Sequence, residues 1–234
     1  MNGITLKNVS KIYSIAGKPF RAVSDLTLNL NREERTILIG ESGCGKSTLL
    51  KLISGLEEQT EGEILFHEID PSMVFQNPRL FPWKNVRENI EFSLKDEVEK
   101  EEVDKWIKMV KLSGFETAYP SQLSGGMQSR VSLARAMVAN KNYLLMDEPF
   151  AALDGFTRSE MQKQLLEIVD VTKRGFLFVT HSIDEAFLLG ERIIIMKKGE
   201  ILSDFYLKDQ SLTEEELKEY FLHLIKGEKN EETI

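Results

Sequence analysis

Three things are scarce in this 234-residue chain. The first is cysteine: Cys44 stands alone. One thiol cannot close an internal disulfide, so a disulfide-held extracellular scaffold is excluded and a cytosolic setting is expected. The second is long apolar runs. Crossing a bilayer takes about 18 consecutive apolar residues; "RIIIM" and "GFLFVT" are far shorter. The start, "MNGITLKNVSKIY", lacks the continuous apolar stretch of a secretory signal. The chain therefore reads as soluble, and any membrane role is expected through a partner. The third is positive charge. With 30 Lys and Arg against 38 Asp and Glu, the net charge is −8. A general nucleic-acid binder shows a basic face, so that class is set aside, although a local basic patch is not. No internal repeat is visible.

What is present is an alternation of short apolar runs and helical segments. Residues 3–39 read as β-rich, with "ITLKNV" alternating and Leu26, Leu28 and Leu30 interleaved with Thr27 and Asn29. That is the period of strands with one buried face. "TILIG", "YLLMD", "FLFVT" and "RIIIM" are apolar without alternation, as in strands buried on both faces of a parallel sheet. Thr157–Glu160, Ser182–Glu185 and Thr213–Glu216 match the capping box that opens a helix, the last with Leu212 and Leu217 placed for a hydrophobic staple. Val103, Trp106, Ile107 and Val110 share a helix face that Gly114 can end. Residues 84–135 read as mainly helical, and the polar end "KGEKNEETI" as frayed.

The chemistry concentrates at a few places. Gly40-Glu41-Ser42-Gly43-Cys44-Gly45-Lys46-Ser47-Thr48 fits G-x-x-x-x-G-K-[ST] between an apolar strand and a helix. Its glycines let amides point inward around a phosphate, Lys46 can reach the β- and γ-phosphates, and Ser47 can offer its hydroxyl to Mg²⁺. Cys44 inside it is either a thiol activated by Lys46 and the helix N-terminus or a small shielded filler. Asp147 ends an apolar strand and suits Mg²⁺, with Glu148 placed to polarise a water, or the two are a plain strand-to-turn ending helped by Pro149. His181 also ends a strand, where an imidazole meets a phosphate, orients a water, or is structural. Gln76 after "MVF" is either a ligand to Mg²⁺ or water, or a polar turn residue. Ser124-Gly125-Gly126-Met127 in "LSGGM" suits an anion at a helix start but has no lysine.

Together these residues resemble an ABC transporter ATPase subunit, with the motifs in that family's order over about Ile4 to Gly199. Gly40–Thr48 is similar to the Walker A loop, Gln76 to the Q-loop glutamine, and Leu123–Met127 to the signature. "YLLMDE" is similar to the Walker B strand with its catalytic glutamate Glu148. Asp154 in "ALD" falls on the D-loop, His181 on the switch histidine, and Tyr13 on the aromatic residue that stacks on adenine. The resemblance implies an α/β P-loop NTPase core, a mostly parallel sheet flanked by helices, with an N-terminal antiparallel β subdomain and an inserted α-helical subdomain. It implies one ABC ATPase domain over 1–234. Its nucleotide-binding core and β subdomain would cover 3–83 and 136–200, its helical subdomain 84–135, and a C-terminal helix and tail 201–234.

It also implies ATP and Mg²⁺, with Ser47, Gln76 and Asp147 toward the metal, and hydrolysis by Glu148, His181 and Gln76. Two copies would pair head to tail. Ser124, Gly125, Gly126 and Met127 of one chain would then face the γ-phosphate of the ATP on the other chain's loop, which needs donors but no lysine. The expected partners are a second copy, an integral membrane permease that the chain meets at the inner face of the cell membrane, and, indirectly, an external substrate-binding protein. No nucleic acid is expected. "VFQNPRLFPWKNVRENI" and "DEPFAALDGFTRSEMQ" resemble nitrate, sulfonate and taurine importers, which favours import of a small anion or organic solute. A soluble ABC ATPase outside transport, such as one for iron–sulfur assembly, is the alternative. Two features depart from the pattern: the signature ends in Met127 with Gln128 one place on, and Glu63 to Gln76 is shorter than usual. Little beyond a helix follows residue 199, so no large regulatory domain is expected.

Overall fold

The structure is a computed structural model and describes residues 2–94, 100–139, 141–209 and 212–226. It divides into two compact units, Met1–Ile69 with Phe176–Ile234, and Asp70–Gly175.

In the first unit, β1 (Gly3–Ile15) lies antiparallel between β2 (Lys18–Asn31) and β4 (Glu61–His67). Leu26, Leu28 and Leu30 of β2 are buried while Thr27, Asn29 and Asn31 face solvent, as the alternation predicts. In β1 the alternation breaks at Lys7 and Asn8, both exposed, where the pairing slips. Asn8 there takes a left-handed conformation (φ 50°) and its amide donates to Asp25 at 2.9 Å.

The same unit holds β3 (Arg35–Ile39), β7 (Gly175–Thr180), β8 (Arg192–Lys197) and β9 (Glu200–Tyr206). β3 pairs in parallel with both β7 and β8, and β9 closes antiparallel on β8. Ile37–Ile39, Phe176–Val179 and Ile193–Ile195 have no exposed surface, so the non-alternating runs are strands covered on both faces. Helices α1 (Lys46–Ile53), α6 (Ile183–Leu189) and α7 (Glu214–Lys226) complete the unit. Arg192 is a buried tie: its guanidinium grips Asp204 at 2.7 and 2.6 Å, Glu34 at 3.0 Å and the Asn29 carbonyl at 2.7 Å. Burial works against its charge, but the Asp204 and Glu34 carboxylates hold its pKa above the usual arginine range.

The second unit pairs β5 (Pro71–Val74) in parallel with β6 (Tyr143–Asp147) and carries α2 (Val86–Glu91), α3 (Lys100–Met109), α4 (Gly125–Val138) and α5 (Gly155–Thr172). The stretch 84–135 is less helical than expected, because 110–124 runs as turns with one 3-10 turn at Pro120–Gln122.

Helix ends correct several expectations. α3 stops at Met109, with Lys111 rather than Gly114 in the left-handed stop position (φ 56°). Leu112 N–H reaches the Ile107 carbonyl at 2.9 Å and Lys111 N–H that of Lys108 at 3.0 Å, a Schellman ending. α5 begins at Gly155, not after Thr157, because Asp154 takes the cap: its Oδ1 accepts the Phe156 and Thr157 amides at 3.1 and 3.0 Å. Ser182 does cap α6, but its partner Glu185 does not reach back; its carboxylate accepts the Thr180 hydroxyl at 2.5 Å. Thr213 and Glu216 form the full reciprocal box, while Leu212 keeps 43% of its surface exposed above the buried Leu217. Of the run expected to fray, Lys226 ends α7, and 227–234 lie outside the described residues.

Candidate functional site

In the first unit the chain leaves β3 at Gly40 and re-enters helix at Lys46. Gly45 caps α1 with φ 111°, and a Cβ there would lie 2.2 Å from the Ala22 carbonyl oxygen. Any side chain would therefore push the loop off β2. A glycine cap offers no side-chain acceptor, and α1 has no side-chain cap bond. Lys46 is buried, and its ammonium donates to the carbonyls of Gly40 at 2.7 Å and Glu41 at 2.9 Å. The loop is thus a closed turn with one cation held inside it by its own backbone. Glu41, Ser42, Gly43 and Ser47 face solvent and Thr48 is half-buried. The Cys44 thiol is buried against Gly40, where an added Cβ would meet its sulfur at 2.8 Å. Its backbone carbonyl accepts the Gly199 amide at 2.8 Å. Packing favours the filler reading of Cys44 over the reactive one.

His181 follows β7 directly and is exposed. Thr180 pairs with Ile39, so His181 and Gly40 leave neighbouring parallel strands at the same edge. That edge is where ligands of such sheets bind. Tyr13 sits on β1, half-buried; its phenol donates to Glu57, and Lys11 lies over its ring at 5.2 Å from the centroid.

In the second unit, Val74 pairs with Met146, so Gln76 and Glu148 likewise leave two parallel strands at one edge. Gln76 is exposed; Asp147 and Glu148 are half-buried. Glu148 has φ 43°, a left-handed conformation that a glutamate adopts only when its surroundings impose it. Pro149 follows, and the Ala151 amide bonds back to the Glu148 carbonyl at 3.2 Å. Beyond Gln76, Arg135 of α4 donates to the carbonyls of Pro78 at 2.8 Å and Arg79 at 3.0 Å. Burial holds its guanidinium below the usual pKa. Arg135 is a residue that sequence reasoning missed: it fixes the segment after Gln76 to the helix that Leu123–Met127 begins.

Ser124 caps α4, and its hydroxyl oxygen accepts the Met127 amide at 3.2 Å, leaving its proton to donate elsewhere. The two glycines divide the work. A Cβ at Gly125 would meet nothing within 4 Å, whereas one at Gly126 would strike the Thr157 methyl at 2.5 Å. Gly125 therefore keeps the loop mouth open and Gly126 lets α4 lie against α5. Met127 is half-buried. Gln128, one place past the signature, donates to the carbonyls of Pro120 at 3.0 Å and Leu123 at 3.3 Å, bracing the turn from behind. Asp154 is exposed and works as the α5 cap. The Thr157 amide and hydroxyl, with the Phe156 amide, hold its carboxyl below the usual range.

A family model for the ABC transporter matches residues 23–151, more than half of the chain. The chain belongs to the ABC transporter family. It is an ATP-binding cassette that hydrolyses ATP on an α/β P-loop fold. An aliphatic sulfonates import ATP-binding protein of Bacillus cereus is 46% identical over 209 residues, covering 85% of this cassette and 83% of that protein. A bicarbonate transport ATP-binding protein of Synechocystis is 39% identical over 210 residues, covering 84% and 74%. Among solved structures, a dimeric post-hydrolysis state of an ATP-binding cassette bound to ADP and Pi superposes with TM-score 0.78 at 32% identity, covering 87% of this cassette and 98% of that chain. A cassette from an ABC transporter complex of Clostridium perfringens gives 0.78 at 25% identity, covering 95% and 96%. No described helix of the cassette is long and apolar enough to cross a membrane.

Proposed function

We propose that this cassette is the motor of an importer for a small anion or organic solute. The observation that carries the direction of transport is its 46% identity to a sulfonate import subunit and 39% to a bicarbonate transport subunit, each over more than four-fifths of the cassette. It would act as one ABC ATPase domain, pair with a second copy head to tail, and sit on a membrane permease at the cytoplasmic face. An external substrate-binding protein would supply the cargo. The permease contact would use the irregular turn after Gln76. There Trp83 is 70% exposed; Phe92, at the C-terminal end of α2, is 59% exposed, and both rings pack on Phe81 at 5.5 and 4.4 Å between centroids. The buried Asn89 clamps that turn through the Phe81 amide and the Lys84 carbonyl, each at 2.8 Å.

For the reaction, the Gly40–Thr48 loop would hold the phosphates, Lys46 exchanging its loop carbonyls for phosphate oxygens. Glu148 would polarise the attacking water, with Gln76 and His181 ordering it. The Ser47 hydroxyl, the Asp147 carboxylate and the Gln76 amide are hard oxygens that fit Mg²⁺, which keeps most of its ligands from water and phosphate. Bound Mg²⁺ would neutralise phosphate charge. Asp154 would serve the partner chain as a D-loop residue while capping α5. Ser124, Gly125, Gly126 and Met127 would meet the partner's γ-phosphate, as the outward hydroxyl and the open Gly125 mouth suit.

A mixed dimer tests the pairing. One chain carries Lys46→Ala, the other Ser124→Arg, and both carry Glu148→Gln to retain occluded ATP. Head-to-tail pairing places both defects at one composite site, so one ATP is occluded per dimer; pairing within each chain leaves none. A companion dimer with Lys46→Ala alone shows whether one site closes without the other. The transport role, against a soluble ABC ATPase, is tested by co-purification with a multi-span membrane protein, which Trp83→Ala should weaken without loss of ATP affinity.

A further inference from the structure

We propose that Glu57 is a positioning residue for nucleotide binding, holding the Tyr13 ring in the orientation in which the adenine stacks. The inference rests on the reading that Tyr13 takes the base.

Glu57 is placed by the end of the phosphate-loop helix. Gly55 stops α1 in the left-handed conformation (φ 71°), and the amides of Leu56 and Glu57 both return to the Lys51 carbonyl, at 2.9 and 3.2 Å. The carboxylate that follows is fixed at both oxygens. Oε1 takes the Lys51 ammonium at 3.2 Å; Oε2 takes the Tyr13 phenol, with Lys11 3.8 Å away. A phenol has one proton to give, and here Glu57 takes it. The ring therefore cannot leave its place without losing that bond. The titration of the pair agrees: burial and the Glu57 bond push the phenol up, and the Tyr13 bond holds the Glu57 carboxyl down. At neutral pH the contact is a phenol proton on a charged carboxylate, the stronger kind of hydrogen bond.

Lys11 defines the ring's faces. Its ammonium lies 5.2 Å from the Tyr13 centroid and is anchored on the Glu58 carbonyl at 2.6 Å. One face is thus covered by a cation, and a base stacks on the other. Through Glu57 and Lys51, the ring that meets the base is tied to the helix whose start meets the phosphates. The two ends of one nucleotide are kept in register by side chains of a single short segment. Freezing a ring before binding removes an ordering cost otherwise charged to affinity.

The test is ATP affinity and steady-state hydrolysis of the full chain, with inorganic tripolyphosphate as a base-free probe. Glu57→Ala and Tyr13→Phe should each raise KM for ATP about three- to tenfold, change kcat less, and leave tripolyphosphate affinity in place. Glu57→Gln keeps an oxygen for the phenol and should recover most of the loss. The double variant Tyr13→Phe/Glu57→Ala should be no weaker than Tyr13→Phe alone. Additive losses in the double variant, or an equal loss for tripolyphosphate, would overturn the proposal and leave Glu57 a loop-shaping residue. If Tyr13→Ala weakens ATP binding while Glu57→Ala does not, the positioning role alone fails. If Tyr13→Ala changes nothing, the reading of Tyr13 as the base-stacking residue fails as well.

Discussion

The two glycine-bearing loops, Gly40–Thr48 and Ser124–Met127, each turn the chain into a helix, yet they hold charge in opposite ways. The first keeps a buried ammonium against its own carbonyls and gives its helix no side-chain cap. The second has no cation, exposes Ser124 and Gly125 to solvent, and caps its helix with the serine. A loop that must bind a polyphosphate by itself needs a resident charge and uncapped amides. A loop that only completes a site already charged needs shape and a few donors. On the proposed head-to-tail pairing, the difference separates binding from completion, and each half can be broken alone.

The largest effect is expected at Lys46. Lys46→Ala should lower ATP affinity of the isolated chain on the order of 10²-fold, from lost charge-assisted bonds. Ser124→Arg should leave that affinity within about twofold while abolishing turnover, which depends on dimer closure. Nucleotide titration of dilute, monomeric protein checks both, and equal losses would erase the distinction. Next is Gly126. Gly126→Ala must displace Thr157 and should cost about 1–3 kcal/mol by overpacking, read as a lower Tm. Gly125→Ala should be near neutral in stability and lose turnover instead. Arg135→Ala follows. Losing a half-buried guanidinium and its two carbonyl contacts should cost about 1–2 kcal/mol and depress hydrolysis more than ATP binding. Arg135→Lys should rescue this only in part, since an ammonium lacks the planar fork.

The smallest effect is at the Asp154 cap. Its folded pKa lies below the ordinary aspartate value of about 3.9. Its contribution is therefore full above the unfolded value and fades as pH falls through the lower folded value. The Tm difference between wild type and Asp154→Ala should be constant from neutral pH down to about 5 and should shrink below about 4. A difference that grows on acidification would reverse the sign.

Strands and loops with strong local chemistry were legible. The four unalternating runs became the four strands β3, β6, β7 and β8, within a residue at either end, because burial on both faces leaves a run of apolar residues whatever the topology. The glycine–lysine loop declared itself because phosphate binding demands those residues in that order. Competition between neighbouring groups was not legible. Thr157 looked like a cap, but Asp154 lay three residues earlier with a better acceptor. The α2 start is a complete capping box built on Asn85 and Glu88, which falls outside the Ser/Thr form of that pattern. Arg135 and Gln128 act on carbonyls, and a carbonyl has no signature in sequence. Nor does a dihedral angle, so nothing in "YLLMDEP" announced the left-handed Glu148.

With the water-polarising role proposed for Glu148, that conformation sets stability against activity at one residue. A left-handed glutamate costs on the order of 1 kcal/mol that glycine would not. Glu148→Gly should therefore fold more firmly than Glu148→Ala, while losing the carboxylate that the turn presents. On the proposed role of Glu148, a change made for heat resistance alone would place glycine there and yield a sturdier, idle protein.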